Sequence, residues 1–217
     1  MEIVWLGHAA FRIRSGNSSL LMDPYPPQLG LRIPPAHAQA GLVTVSNGAA
    51  EHAAVPTVAG GEQATVLRGP GEYELAGLTV KGVRVRGAAS SPDTWSTVFV
   101  VEAEGLSVCH LGNPGMLPIS RQIEAIGTPH ILLLPIGSPG GLNAADAVEI
   151  TNSLSPRIVV PMLHAHPGNT ANLRPIDAFL QEMGVKAPEP QPRLTVTRNA
   201  LPEETQVVVL TPAVQPA

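Results

Sequence analysis

The chain has 217 residues, of which 44% are apolar and 14% charged, a composition typical of a folded domain. Thirteen Lys and Arg against seventeen Asp and Glu give a net charge of −4, which disfavours a general nucleic-acid binder. A single cysteine, Cys109, excludes an intramolecular disulfide and a cysteine-cluster zinc site. We find neither a signal peptide nor an apolar run of membrane-spanning length, so we expect a cytoplasmic protein without membrane contact.

Strand-like segments dominate the first half of the chain. Phe11 and Ile13 alternate with Arg12 and Arg14, a pattern typical of a half-buried strand. The proline-rich segment 23–35 indicates irregular structure, and residues 46–52 indicate a loop. The predicted strands of this half are 3–6, 10–14, 19–22, 42–45, 64–67, 78–85, 97–102 and 106–110.

Helices and strands alternate in the second half. Strands are predicted at 131–135, 158–162, 194–197 and 206–210, and helices at 119–126, 144–154 and 176–183. Asn143 is the expected N-cap of the second helix, and Gly184 is expected to end the third. Because no linker or repeat divides the chain, we predict a single domain over 1–217. Its fold is α/β, with two sheets that share an apolar layer and helices outside them.

Six short motifs lie in order along the whole chain: WLGHAAF at 5–11, LMDP at 21–24, PGEYE at 70–74, VCHLGN at 108–113, PRIVVPM at 156–162 and LPEET at 201–205. Together they resemble the metallo-β-lactamase-fold hydrolases. The similarity points to the small bacterial ascorbate-lactonase-like branch of that superfamily. The resemblance implies an αββα four-layer sandwich with an active-site cleft at one edge of the two sheets.

The ligand positions implied by this resemblance carry unusual residues. The family holds divalent ions with a His-x-His-x-Asp-His loop, a later His, a bridging Asp and a final His, and the ions convert water into a hydroxide nucleophile. Only His52 matches that pattern in register, and the amide of Asn113 cannot bridge two cations as a carboxylate does. The former metal-site cleft is predicted to contain Asn47, Ala49, Glu51, His52, Gly87, Asn113, Leu163 and His164.

Our first interpretation is therefore a metal-free, non-hydrolytic binding or regulatory protein. It has no catalytic residues and needs no cofactor, and its partner is an unidentified small molecule or protein. The polar contacts of a small ligand would lie in the former cleft. The residues expected to make them are Asn47, Glu51, His52, Asn113 and His164.

Two alternatives remain open. One is a metal-dependent hydrolase with a rearranged site for one Zn or Mn ion, acting on an ester, a lactone or a phosphodiester. The other is an oligomeric scaffold, since the low charge and a mean hydropathy of +0.15 are compatible with a homo-oligomer. The candidate ligands of the rearranged site are His52, His164, His166 and Glu51.

Other polar residues near the implied cleft are assigned structural roles. We expect Asp23 to cap backbone amides in the turn that follows it, His8 to line the cavity and His110 to be a hydrogen-bonded core imidazole. Arg84 and Arg86 share one face of a strand, where they either hold an anion or form a charged outer surface.

Overall fold

The computed structural model describes residues 1–57, 63–89 and 94–217. Two β-sheets pack face to face, and helices cover the outer surface of each, which confirms the predicted α/β class and αββα sandwich. The strands are β1 (Glu2–Trp5), β2 (Phe11–Ser15), β3 (Ser18–Met22), β4 (Leu31–Arg32), β5 (Leu42–Val45), β6 (Thr65–Arg68), β7 (Gly71–Leu75), β8 (Leu78–Arg86), β9 (Trp95–Ala103), β10 (Leu106–His110), β11 (Ile131–Pro135), β12 (Ile158–Met162), β13 (Leu194–Thr195), β14 (Gln206–Val207) and β15 (Gln215–Pro216).

The described helices are short, apart from the one that follows β11. Asn143 caps that helix in a capping box with Asp146, as the sequence predicts. Within the described residues, no helix is long and apolar enough to span a bilayer. The helices are α1 (Pro35–Ala38), α2 (Ala50–Ala53), α3 (Ser120–Ile126), α4 (Ala144–Leu154) and α5 (Asp177–Glu182).

The two main sheets differ in how their strands run. The first has the order β13-β1-β2-β3-β5-β6, with antiparallel pairs up to β3 and parallel pairs beyond it. The second has the order β14-β12-β11-β10-β9-β8-β7, parallel from β14 to β10 and antiparallel from β10 to β7. A small pair, β15 and β4, lies apart from both.

Three apolar layers stabilise this arrangement. The central layer joins side chains from both sheets, with Trp5, Phe11 and Phe99 among its largest members. A second layer packs the outer face of the second sheet against α3, α4 and α5. A third covers the outer face of the first sheet with α1 and with Tyr25. Burial of these side chains from water is the main favourable contribution to folding.

The differences from the sequence prediction concentrate in short elements. Segment 46–52, expected to be a loop, contains the start of α2, and segment 23–35 contains β4. Residues 71–75, which are not among the predicted strands, form β7, the edge strand beside β8. The closing strands β13 and β14, which lie at sheet edges, have only two residues each. Gly184 follows α5 with φ 66, as expected of a helix-ending glycine.

Candidate functional site

The loops that follow β1, β3, β5 and β12 meet at one edge of the two sheets. His8, Asp23 and Leu163, which follow β1, β3 and β12, have φ values of 52°, 43° and 54°. A left-handed backbone at a non-glycine residue costs about 1–3 kcal/mol and persists only where surrounding contacts impose it. One such contact is the hydrogen bond from the Leu163 N–H to the His8 carbonyl, at 3.1 Å. Three strained positions thus lie where these strands end, at the candidate site.

Asp23 links Ser46 and His52 through hydrogen bonds to its side chain. Its side chain is 1% exposed and accepts hydrogen bonds from the Ser46 N–H at 2.7 Å, from the Ser46 hydroxyl and from His52 Nδ1 at 2.8 Å. Burial alone would raise the pKa of Asp23, but the neighbouring His110 and the hydrogen bonds from His52 and Ser46 outweigh burial and lower it. Asp23 is thus a buried carboxylate that fixes the loop after β5.

His52 is held in one orientation by this carboxylate. Because an ionised carboxylate only accepts hydrogen bonds, His52 carries its proton on Nδ1, and in the neutral form Nε2 presents a lone pair. That Nε2 atom is buried and makes no hydrogen bond within the described residues. A carboxylate behind an imidazole whose second nitrogen stays open is the arrangement found at metal-binding and proton-accepting histidines.

His8 lies beside His52, with the two ring centroids 5.6 Å apart. Neither ring nitrogen of His8 has a hydrogen-bond partner among the described residues, although the ring is only 4% exposed. Burial, reinforced by the neighbouring His52, lowers the pKa of His8 to about 3, so the imidazole is neutral at physiological pH. Unpaired buried nitrogens of this kind require an explanation such as water or an ion.

His164 and His166 gather around Trp5 rather than around His52. Their ring centroids lie 4.8 Å and 4.9 Å from that of Trp5, and 6.5 Å from each other. The indole N–H of Trp5 donates to the His8 carbonyl at 3.1 Å, which joins this group to the site. Burial lowers the pKa of His164 to about 4, and its buried Nε2 has no described partner.

The loop after β5 uses its predicted cleft residues mainly to shape itself. Asn47 Oδ1 accepts the Ala49 N–H at 2.9 Å, and Asn47 Nδ2 donates to the Ser46 hydroxyl oxygen at 3.3 Å. Ala49 precedes α2 and is buried. Glu51 lies half-buried in the first turn of α2 and takes no part in the hydrogen bonds around Asp23. The structure therefore places Glu51 in the same short helix as His52 without bringing the two side chains into one hydrogen-bonded group.

The remaining predicted cleft residues belong to neighbouring packing. Gly87 forms an isolated bridge with Pro114. The amide of Asn113 donates to the Ser138 hydroxyl at 2.9 Å, while its buried Oδ1 lacks a described partner. Leu163 is 1% exposed and lies in the central apolar layer.

His110 makes a full set of hydrogen bonds in the core. Its Nε2–H donates to the Ala9 carbonyl at 2.8 Å, and its Nδ1 accepts the Gly112 N–H at 3.2 Å. This agrees with the hydrogen-bonded core imidazole predicted from the sequence, and it leaves His110 without a free nitrogen for a ligand.

An αββα sandwich with a histidine and carboxylate cluster at one edge of its sheets defines the metallo-β-lactamase class of fold. The profile of the β-lactamase superfamily domain matches residues 2–163, and the chain belongs to this superfamily. It is similar to a UPF0173 metal-dependent hydrolase from Methanoculleus marisnigri, with 27% identity over 185 residues that cover 75% of this chain and 80% of the relative. A UPF0173 protein from Pyrococcus furiosus is 28% identical over 200 residues, covering 84% and 90% of the two chains.

Solved structures agree with this assignment. A metallo-β-lactamase superfamily protein from Thermotoga maritima has a TM-score of 0.75 and 29% identity, and the match covers 96% of this chain and 97% of that one. Igni18, a metallo hydrolase from Ignicoccus hospitalis, has a TM-score of 0.67 at 20% identity, with 90% and 99% covered, and shows the shared fold. Relatives of this chain are thus named metal-dependent hydrolases, which favours the hydrolase alternative over the metal-free interpretation.

The superfamily implies divalent ions, so the donor set decides what this chain can hold. Within residues 1–57, 63–89 and 94–217, no group of three or more His, Cys, Asp or Glu side chains is arranged to hold an ion. The site therefore does not fit a two-ion centre. The buried nitrogens of His8 and His52 that have no partner within the described residues belong to adjacent rings, so these two imidazoles are the donors nearest to each other that the site offers to an ion.

The sequence alone did not predict that His8 and Asp23 lie beside His52. It assigned structural roles to His8 and Asp23. Asp23 does accept a backbone N–H, but from Ser46 rather than from the turn that follows it. Only the motifs around 8 and 23, which match the family pattern, could have indicated their importance. The contact itself depends on how the loops fold together.

Proposed function

We propose that this chain is a metal-dependent hydrolase with a rearranged site for a single ion, built on His8 and His52. The observation that carries the proposal is the Asp23–His52 hydrogen bond of 2.8 Å, which leaves Nε2 of His52 open beside the unpaired ring of His8. The names of the relatives support a divalent ion in the family. When bound, such an ion supplies a hydroxide nucleophile near neutral pH by lowering the pKa of its water.

The chain's own residues prepare the site in separate ways. Asp23 fixes the tautomer of His52 and directs the Nε2 lone pair away from itself. Burial keeps His8 neutral, and only a neutral imidazole can donate electrons to a cation. Trp5 and Leu163 donate to the His8 carbonyl and hold the left-handed turn that orients the ring. The arrangement suits hydrolysis of an ester, a lactone or a phosphodiester.

A typical catalytic zinc site has about three protein ligands, whereas this site offers two imidazoles. We therefore expect one Zn or Mn ion to bind more weakly here than in a three-ligand site. Asp23 contributes through His52, so loss of its charge should weaken metal binding by about 10- to 100-fold without abolishing it.

The test is elemental analysis and metal titration of the untagged protein, followed by a screen of ester, lactone and phosphodiester substrates. About one equivalent of Zn or Mn should bind, and hydrolysis should follow the bound metal. The variant His52→Ala should lose both, and Asp23→Asn should retain weakened binding. Since His37 lies in α1, outside the cluster, His37→Ala is the matched control and should behave like the wild type.

Metal that binds equally well to His52→Ala and to the wild type would contradict this assignment. So would hydrolysis that survives both metal removal and the His52 substitution.

A second candidate function is the metal-free binding protein of our first interpretation. It is favoured by the absence of a three-donor group in the part of the chain that the structure describes. It is also favoured by the packing of Leu163 into the apolar layer. For this candidate we expect no stoichiometric Zn or Mn in the titration and no hydrolysis of any substrate.

A further inference from the structure

A cavity of about 460 Å³ lies between the two sheets, next to the loop after β5. The ends of β5 and β6 form one side of it, and β8 and β9 of the second sheet form the other. Ser46 and Asn47 line the cavity, and Ser46 also donates to Asp23. The cavity thus begins where the hydrogen-bonded group around His52 ends.

Two arginines, Arg68 and Arg84, line this cavity from opposite sheets. Within the described residues no acidic side chain lines it, and neither guanidinium pairs with a carboxylate. The chain as a whole has a net charge of −4, whereas the charged side chains that line this cavity within the described residues are both positive. Two cationic side chains that line one cleft reinforce each other's electrostatic field and attract anions.

Trp95 orders one of these cations. The Arg84 guanidinium carbon lies 5.8 Å from the Trp95 ring centroid, and that of Arg86 lies 5.9 Å away. A cation over an indole ring is stabilised by the ring quadrupole, and the contact restricts a side chain that would otherwise move freely in water. The contact places the Arg84 guanidinium beside Trp95, which also lines the cavity.

Resting on the proposed function, we propose that this cavity binds an oxyanion group of the substrate, a carboxylate or a phosphate, through Arg68 and Arg84. A guanidinium presents its N–H donors in a planar fork that matches both groups. Asn47, one of the polar contacts predicted from the sequence, adds an amide at the cavity wall. The substrate of this hydrolase is accordingly an anionic ester, lactone or phosphodiester rather than a neutral one.

The test is equilibrium binding of inorganic phosphate and, separately, of benzoate, followed by tryptophan fluorescence. Trp95 is 49% exposed whereas Trp5 is fully buried, so the exposed indole should report the ligand. We expect saturable binding of at least one anion, weakened by added salt, and none of the neutral analogue benzamide. Arg68→Ala and Arg84→Ala should each weaken binding about tenfold or more, and Arg84→Lys should restore part of it. Arg14→Ala, at an exposed arginine on the first sheet, is the matched control and should change nothing.

The two anions distinguish a phosphate-bearing from a carboxylate-bearing substrate. Binding of neither, or equal loss in Arg14→Ala, would overturn the proposal. Measuring the same binding in His52→Ala separates the two proposals, because the anion should still bind where hydrolysis is lost. Anion binding in a wild-type protein that hydrolyses nothing would contradict the hydrolase and leave the oxyanion cavity supported.

Discussion

Removal of the Asp23 carboxylate should cost a large part of the stability of this fold. The carboxylate accepts three hydrogen bonds: the Ser46 N–H at 2.7 Å, the Ser46 hydroxyl, and His52 Nδ1–H at 2.8 Å. Each buried donor left without an acceptor costs about 1–3 kcal/mol. Breaking a buried charged group of this kind typically costs about 3–5 kcal/mol, and we expect that loss for Asp23→Ala.

Urea denaturation followed by circular dichroism measures this loss, against a total stability of about 5–15 kcal/mol for a typical domain. Asp23→Asn keeps the shape and tolerates the left-handed backbone at this position, so it should lose about half as much. Asp177→Ala removes an exposed carboxylate from the first turn of α5 and should cost less than about 1 kcal/mol. An Asp23→Ala variant no less stable than Asp177→Ala would refute the role of the buried Asp23 carboxylate in fixing the loop after β5.

Two further predictions concern other buried groups. Burial lowers the pKa of His164 to about 4 from an ordinary value of 6.5. Between these pH values the unfolded chain binds a proton at His164 and the folded chain does not. Stability should therefore be complete above pH 6.5 and fall as the pH drops towards 4. At pH 5 the loss of unfolding free energy due to His164 should be about 2 kcal/mol. Denaturation curves of His164→Phe, which keeps a ring against Trp5, should lack this loss. Equal acid sensitivity of the variant and the wild type would contradict this prediction. Burial also raises the pKa of the Cys109 thiol, so a thiol reagent such as DTNB should not label the native protein and should label one thiol in denaturant; rapid labelling of the native state would show an accessible thiolate.

Local pattern was sufficient to predict the long elements. The buried runs of β11 and β12 and the capped helix α4 lie where the sequence indicates, because periodicity and capping are set by neighbouring residues. Four-residue helices such as α1 and α2 carry too little periodic signal to be distinguished from loops. The two-residue strands exist only because a partner strand lies alongside them.

The candidate site was predicted only in part, for a related reason. The sequence placed His52 and Asn47 in the cleft through their position in the loop after β5. It grouped His52 with His164 and His166, whereas the structure packs those two rings against Trp5 and sets His8 beside His52. Which side chains of different loops come into contact depends on strand order, on register and on the left-handed turns that end the strands. A single short motif determines none of these.

The amino-acid sequence by itself determined the α/β class and the positions of the main strands along the chain, because these depend on local hydrophobic periodicity. Its short motifs indicated the superfamily. Only the tertiary structure decided which polar groups act together. It joined Asp23 to His52, left the nitrogens of His8 open, and brought Arg68 of one sheet and Arg84 of the other to a single cavity. Those contacts arise from packing two sheets face to face, a long-range event to which residues far apart in the chain contribute together.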